Sequence, residues 1–128
     1  MNGSPLPDDI RRFVLTSVPS VPYIEALLLL RREAASTWSP AQLARRIYVP
    51  EAQAADLLQA LVAAGVADGV AGVPDDFRYD PSPQLADLLD RLAVLYTSNL
   101  LAITALIHSG ANRRAQQFAD AFRWRKDS

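Results

Sequence analysis

The chain has 128 residues, a formal net charge of −1 and a hydrophobic content of 50%, the balance of one globular domain rather than of a basic nucleic-acid coat or a disordered acidic tail. It contains no cysteine, one histidine and one methionine, which excludes disulfides, thiolate catalysis and thiolate metal sites and argues against a His-based triad. Composition therefore points away from an enzyme, and no cofactor or metal is expected.

Residues 1–7 carry neither the positive nor the apolar region of a secretory signal, so the expected compartment is the cytoplasm. Residues 8–15 read as a short helix, with Pro7 near its first turn and Asp8 and Asp9 where the helix dipole favours negative charge. Pro19 and Pro22 break the chain over residues 17–22. A second helix is predicted over residues 22–35. Ile24, Leu27 and Leu28 form its stripe, and Leu29 and Leu30 widen it, as in a helix packed on several neighbours.

Ser39-Pro40-Ala41-Gln42 is a helix start: Ser39 caps, Pro40 suits the first helical position, and Gln42 completes a capping box. Leu43, Ala44 and Ile47 face inward on this short helix, and Arg45 and Arg46 face out. Pro50 opens the next helix, where Ala54, Leu57, Leu58, Leu61 and Val62 keep helical spacing up to the stop at Gly65. Residues 66–73 are β-branched and punctuated by glycine. Pro74-Asp75-Asp76 reads as a turn and Phe77-Arg78-Tyr79 as the returning strand of one small hairpin. Ser82 and Pro83 then cap a long helix reaching residue 109, broken at Gly110. A last amphipathic helix follows, with Ala115, Phe118, Ala119 and Phe122 on one face. Residues 92–112 contain no Asp, Glu, Lys or Arg, but their polar residues argue against a membrane span.

Over residues 21–81 this order resembles the winged helix-turn-helix superfamily in its MarR-like bacterial form. The residues that carry the resemblance are Ser39-Pro40-Ala41-Gln42-Leu43-Ala44 for the first motif helix and residues 57–66 for the second. Residues 77–81 look like the return strand of the wing. The resemblance implies a mainly α fold with a small β-hairpin. It divides the chain into a winged-helix domain with an N-terminal helical extension (residues 1–81) and a dimerisation helix with an amphipathic tail (residues 82–128). It also implies a DNA-binding regulator of transcription that acts as a homodimer. Winged helices serve as protein-interaction modules too, so an adaptor for an unidentified protein partner stands as the alternative.

Charge sets these two readings against each other. A groove-reading helix and its wing should carry Lys or Arg, because phosphate attraction supplies much of the affinity. Here the exposed positions are Glu51, Ala52, Gln53, Asp56, Gln59, Ala60 and Ala63, and residues 48–110 hold eight carboxylates against two arginines. If DNA binds, Arg45, Arg46 and Arg78 are the candidate phosphate contacts, and Gln53 and Gln59 can hydrogen-bond adenine. Arg45 and Arg46 also have a plain structural role, complementing a helix end, and the glutamines one in solvating a helix face.

A heptad pattern runs along the long helix through Leu85, Leu88, Leu92, Leu95, Asn99, Ile103 and Leu106, the candidate dimer interface. Asn99 takes the polar position that sets register in helix pairs. The tail from Phe118 to Lys126 mixes aromatics and cations, and its phenylalanines are expected to anchor it to its own core. His108 reads as buried or at an interface rather than as a ligand.

Overall fold

A computed structural model describes the backbone of residues 6–127 and the side chains of residues 6–121. The elements in chain order are α1 (Asp8–Ser17), α2 (Val21–Arg32), β1 (Thr37–Trp38), α3 (Pro40–Ile47), α4 (Glu51–Ala63), β2 (Ala67–Val70), β3 (Val73–Tyr79), α5 (Pro83–Ser98) and α6 (Leu100–Asp127). The protein is mainly helical, with one three-stranded antiparallel sheet in the order β1-β3-β2. Two compact units arise, Pro22–Val94 on the one hand and Met1–Val21 with Leu95–Ser128 on the other.

In Pro22–Val94, α2 is buried around most of its circumference, through Tyr23, Ile24, Ala26, Leu27, Leu29 and Leu30, as its broad apolar stripe requires. At its end Arg31 Nε meets Asp90 Oδ1 of α5 at 2.9 Å. The helix stops at Arg32, three residues short of the predicted end, and the chain turns through Glu33–Ser36 into β1. This two-residue strand lies just ahead of the Ser39 cap, where the sequence pattern places no strand. It pairs Thr37 with Arg78 and Trp38 with Phe77 of β3, and Trp38 and Phe77 are both buried.

The capping box forms as spelled: Gln42 N donates to Ser39 Oγ at 3.2 Å, and Ser39 N donates to Gln42 Oε1 at 2.9 Å. Such a cap contributes about 1 kcal/mol. Tyr48 ends α3 in the left-handed region, with φ 60° and ψ 50°. α4 buries Ala54, Leu57, Leu58 and Leu61. Its last carbonyls are closed by Gly65 N to Val62 O at 3.0 Å and Val66 N to Leu61 O at 2.9 Å, with Gly65 at φ +80°. That is a Schellman ending, which a glycine adopts without a Cβ penalty.

The hairpin turns elsewhere than the sequence suggests. β2 and β3 are joined through Ala71 and Gly72, with Gly72 at φ +77°, because glycine reaches that conformation more cheaply than Pro74 or its neighbours. Val70 pairs with Val73, but the next pair is Gly69 with Phe77. Pro74-Asp75-Asp76 is therefore an irregular insertion within β3 rather than the tip. Proline has no N–H for the ladder, so this stretch leaves the register.

A second correction concerns the long helix. It ends at Ser98 and a new one begins at Leu100, so the break lies at Asn99 and not at Gly110. Asn99 N donates to Leu95 O at 2.7 Å, and Asn99 O accepts from Ile103 N at 3.0 Å. One residue thus closes α5 and opens α6, a position that suits asparagine, a good N-cap and a weak helix former.

In the other unit α1 packs along α6, and Ile10, Val14, Val18, Ile103 and Ile107 are buried. α6 runs straight through Gly110. A Cβ there would lie 2.9 Å from the carbonyl oxygen of Leu15, and Arg114 Nη1 donates to that same oxygen at 3.3 Å. The glycine is a point of close helix approach, not a stop. From Asn112 to Ala121 every α6 residue is exposed.

Candidate recognition surface

α4 places Glu51, Ala52, Gln53, Asp56, Gln59, Ala60 and Ala63 in solvent, the set expected from helical spacing. The side chains of Gln53 and Gln59 make no hydrogen bond among the described residues. At the end of α3, ahead of this helix, stands Tyr48, 92% exposed. A non-glycine residue in the left-handed region costs roughly 1–2 kcal/mol, and burial does not offset that cost here.

Arg78 is exposed on β3, in register with Thr37 on one side and Asp68 on the other. Directly opposed residues share a face of the sheet, but the Asp68 carboxylate accepts from Gly69 N at 2.8 Å and makes no ion pair with Arg78 among the described residues. Asp75 is exposed in the β3 insertion, at φ 67°. Pro22–Val94 holds ten carboxylates and six arginines, a net of −4, whereas the other unit carries +3.

The two arginines that end α3 differ. Arg45 is exposed and makes no ion pair among the described residues. Arg46 is engaged: Nη1 donates to Glu33 Oε1 at 3.1 Å and Nη2 to Glu33 Oε2. Its guanidinium also lies 5.4 Å from the centroid of the Trp38 ring. The hydrogen bond from Arg46 holds the Glu33 carboxyl below its ordinary range, and the charges of Arg46 and Arg32 add to this. The same bond raises Arg46. The sequence shows both partners, but their pairing depends on the turn after α2, which brings Glu33 to a helix that starts seven residues later.

Around this pair lies an open cleft of about 270 Å³ between the end of α2, β1 and α3. Glu33, Trp38, Arg45 and Arg46 line it together with the hydroxyl-bearing Ser36 and Thr37 and the carboxamide of Gln42. Trp38 is 4% exposed, and its Nε1 is buried with no hydrogen-bond partner among the described residues. The sequence signalled this cleft only through the β-prone Thr37-Trp38 pair ahead of the Ser39 cap.

The residues of the heptad pattern fall in different environments. Leu92 on α5 and Ile103 on α6 are fully buried within the chain. Leu85, Leu88 and Leu95 on α5 and Leu106 on α6 are half-buried, and Asn99 is the junction between the helices. The stripe is not the continuous surface of one helix. Phe118 is 73% exposed, against the expectation that it anchors the tail. His108 is likewise exposed. The side chains of Phe122 and of Trp124 to Lys126 lie outside the described residues.

Among the described residues no group of His, Asp and Glu is arranged to hold a metal ion. No single helix among them is long and apolar enough to cross a membrane. Comparison with family models finds no match to the chain. Comparison with curated proteins likewise finds none. No solved structure matches it.

Proposed function

We propose that this protein is a winged-helix regulator of transcription, that it works as a homodimer, and that Pro22–Val94 is its recognition module. One observation carries the reading: α2, β1, α3, α4, β2 and β3 follow one another as the helices and strands of a winged helix do, with the sheet in the order β1-β3-β2. In that frame α4 is the groove helix and the β2–β3 hairpin the wing. Gln53 and Gln59 face base edges, and Arg45 and Arg78 contact phosphates. Arg46 contributes only if Glu33 releases it. A cytoplasmic location and the absence of an enzymatic role go with this reading. The dimer contact uses the half-buried Leu95 and the exposed Leu100 and Leu101, all in the unit that holds α6.

A second reading is favoured by the carboxylates. Glu51 and Asp56 on α4 and Asp68 and Asp75 on the hairpin are exposed, and like charge at a DNA surface lowers both affinity and association rate. An adaptor that receives a basic protein suits that face. Glu51→Gln with Asp56→Asn separates the two readings. In the regulator it strengthens binding to duplex DNA, measured by fluorescence anisotropy at low salt. In the adaptor, DNA binding is absent from both forms, and the variant loses the proteins that co-purify with the parent. Stability should change by no more than about 0.5 kcal/mol, as for other exposed substitutions.

A further inference from the structure

The cleft beside Arg46 has a surplus of hydrogen-bond donors. Its one carboxylate, Glu33, is already occupied by Arg46 in a two-bond pair. The guanidinium of Arg45, the hydroxyls of Ser36 and Thr37 and the amide NH2 of Gln42 have no partner among the described residues. The Gln42 carbonyl is spent on the Ser39 cap, so the donor end of that carboxamide is the part left for a ligand. The indole N–H of Trp38 is likewise buried with no acceptor among the described residues. The lining carries two positive charges and one negative. Donors in excess, a net positive charge and a concave wall select a small acceptor-rich anion.

We propose that this cleft binds the phosphate group of a small phosphate monoester. Arg45 supplies the free charge, the hydroxyls of Ser36 and Thr37 and the Gln42 amide supply neutral donors, and Arg46 turns part of its guanidinium from Glu33 to the ligand. Phosphate presents three oxygens to such a set, where a carboxylate presents two. The volume of about 270 Å³ leaves room for the group to which the phosphate is esterified. Glu33 acts as an internal competitor: it holds Arg46 when the cleft is empty and repels the ligand when it is filled. The cleft lies off the exposed face of α4 but shares Arg45 with the phosphate contacts of the regulator reading, so the duplex-DNA arm of the test tells the two apart.

The test uses the full chain carrying Trp124→Phe, so that Trp38 is the only indole and reports on the guanidinium that covers its ring. Inorganic phosphate and glycerol phosphate are titrated at constant ionic strength, with acetate and duplex DNA in parallel. The expected result is a saturable change in Trp38 emission with both phosphates and none with acetate. Arg45→Ala should weaken binding by about tenfold, the worth of a hydrogen bond to a charged group. Glu33→Gln should tighten it about two- to fivefold, the range set by a surface ion pair. Thermal unfolding of each variant beside the parent shows that the fold is retained. The proposal is overturned by an unsaturable response, by an equal response to acetate, or by affinity unchanged in Arg45→Ala. It is also overturned if duplex DNA shifts Trp38 emission while glycerol phosphate does not, because the cleft then takes the phosphates of a polymer. A protein that ignores DNA yet binds glycerol phosphate keeps this site and loses only the regulator reading.

Discussion

Replacing Gly110 by alanine should destabilise the protein, although the same change in an ordinary helix interior stabilises it. Alanine exceeds glycine by roughly 1 kcal/mol in helix propensity. Gly110 lies inside the 28-residue α6, so by local reasoning the variant gains that amount. The added methyl, however, meets the Leu15 carbonyl oxygen at 2.9 Å, closer than an ordinary van der Waals contact. Leu15 belongs to the last turn of α1, so the obstacle is backbone and the whole helix end must move. Overpacking of this kind costs about 1–3 kcal/mol. Displacing Leu15 also strains its hydrogen bond from Arg114 at 3.3 Å, a further loss of about 1 kcal/mol. The balance is a net loss of about 1–3 kcal/mol, read from urea unfolding followed by far-UV circular dichroism. Ser109→Ala, at the exposed neighbouring position, serves as the control and should be neutral or slightly stabilising. If Gly110→Ala gained stability, the glycine would be an ordinary helical residue and the close approach of α1 to α6 would be refuted.

Tyr79 has a buried hydroxyl with no partner among the described residues, and burial, then the charge of Asp90, pushes its ionisation up; Tyr79→Phe should therefore raise unfolding stability by about 1 kcal/mol, and a loss would mean that the hydroxyl is satisfied. Ser39→Ala removes the capping box and should cost about 1 kcal/mol by the same measurement; no change would deny the cap its role. Glu33 is held below its ordinary range by Arg46, so its stabilising contribution is complete above the unfolded carboxyl value of about 4.3 and is lost as pH falls through the lower folded value. In the Trp124→Phe background, Trp38 emission should change in that acid window and cease to do so in Glu33→Gln. Sedimentation at tens of micromolar, roughly the range in which a micromolar dimer is formed, should give a dimer, and a monomer would remove self-association from the account.

The parts of the fold legible in the sequence are those set by local chemistry. Ser39-Pro40-Ala41-Gln42 specifies its cap within four residues, and the spacing of Ala54, Leu57, Leu58 and Leu61 specifies which side of α4 is buried, hence which side is exposed. Gly110 and Asn99 show the opposite case. As isolated signals a glycine outranks an asparagine as a helix breaker, but Gly110 is needed for the approach to Leu15 and stays helical, while Asn99 can satisfy the ends of two helices at once. The hairpin tip follows a related logic: Pro74-Asp75-Asp76 has turn composition, yet Gly72 provides the cheaper reversal. At the candidate site, exposure was legible and pairing was not. Arg45 and Arg46 are adjacent and alike in sequence, and only the fold gives Glu33 to one of them.

The most direct test of the central claim is a titration of the isotope-labelled protein with a short duplex at low salt, followed by amide chemical shifts. The regulator reading predicts shifts concentrated on Gln53, Gln59 and the rest of α4, on Arg78 and the hairpin, and at Arg45. Shifts confined to the Arg11, Arg12 and Arg113 region of the positively charged unit, with α4 unmoved, would contradict it.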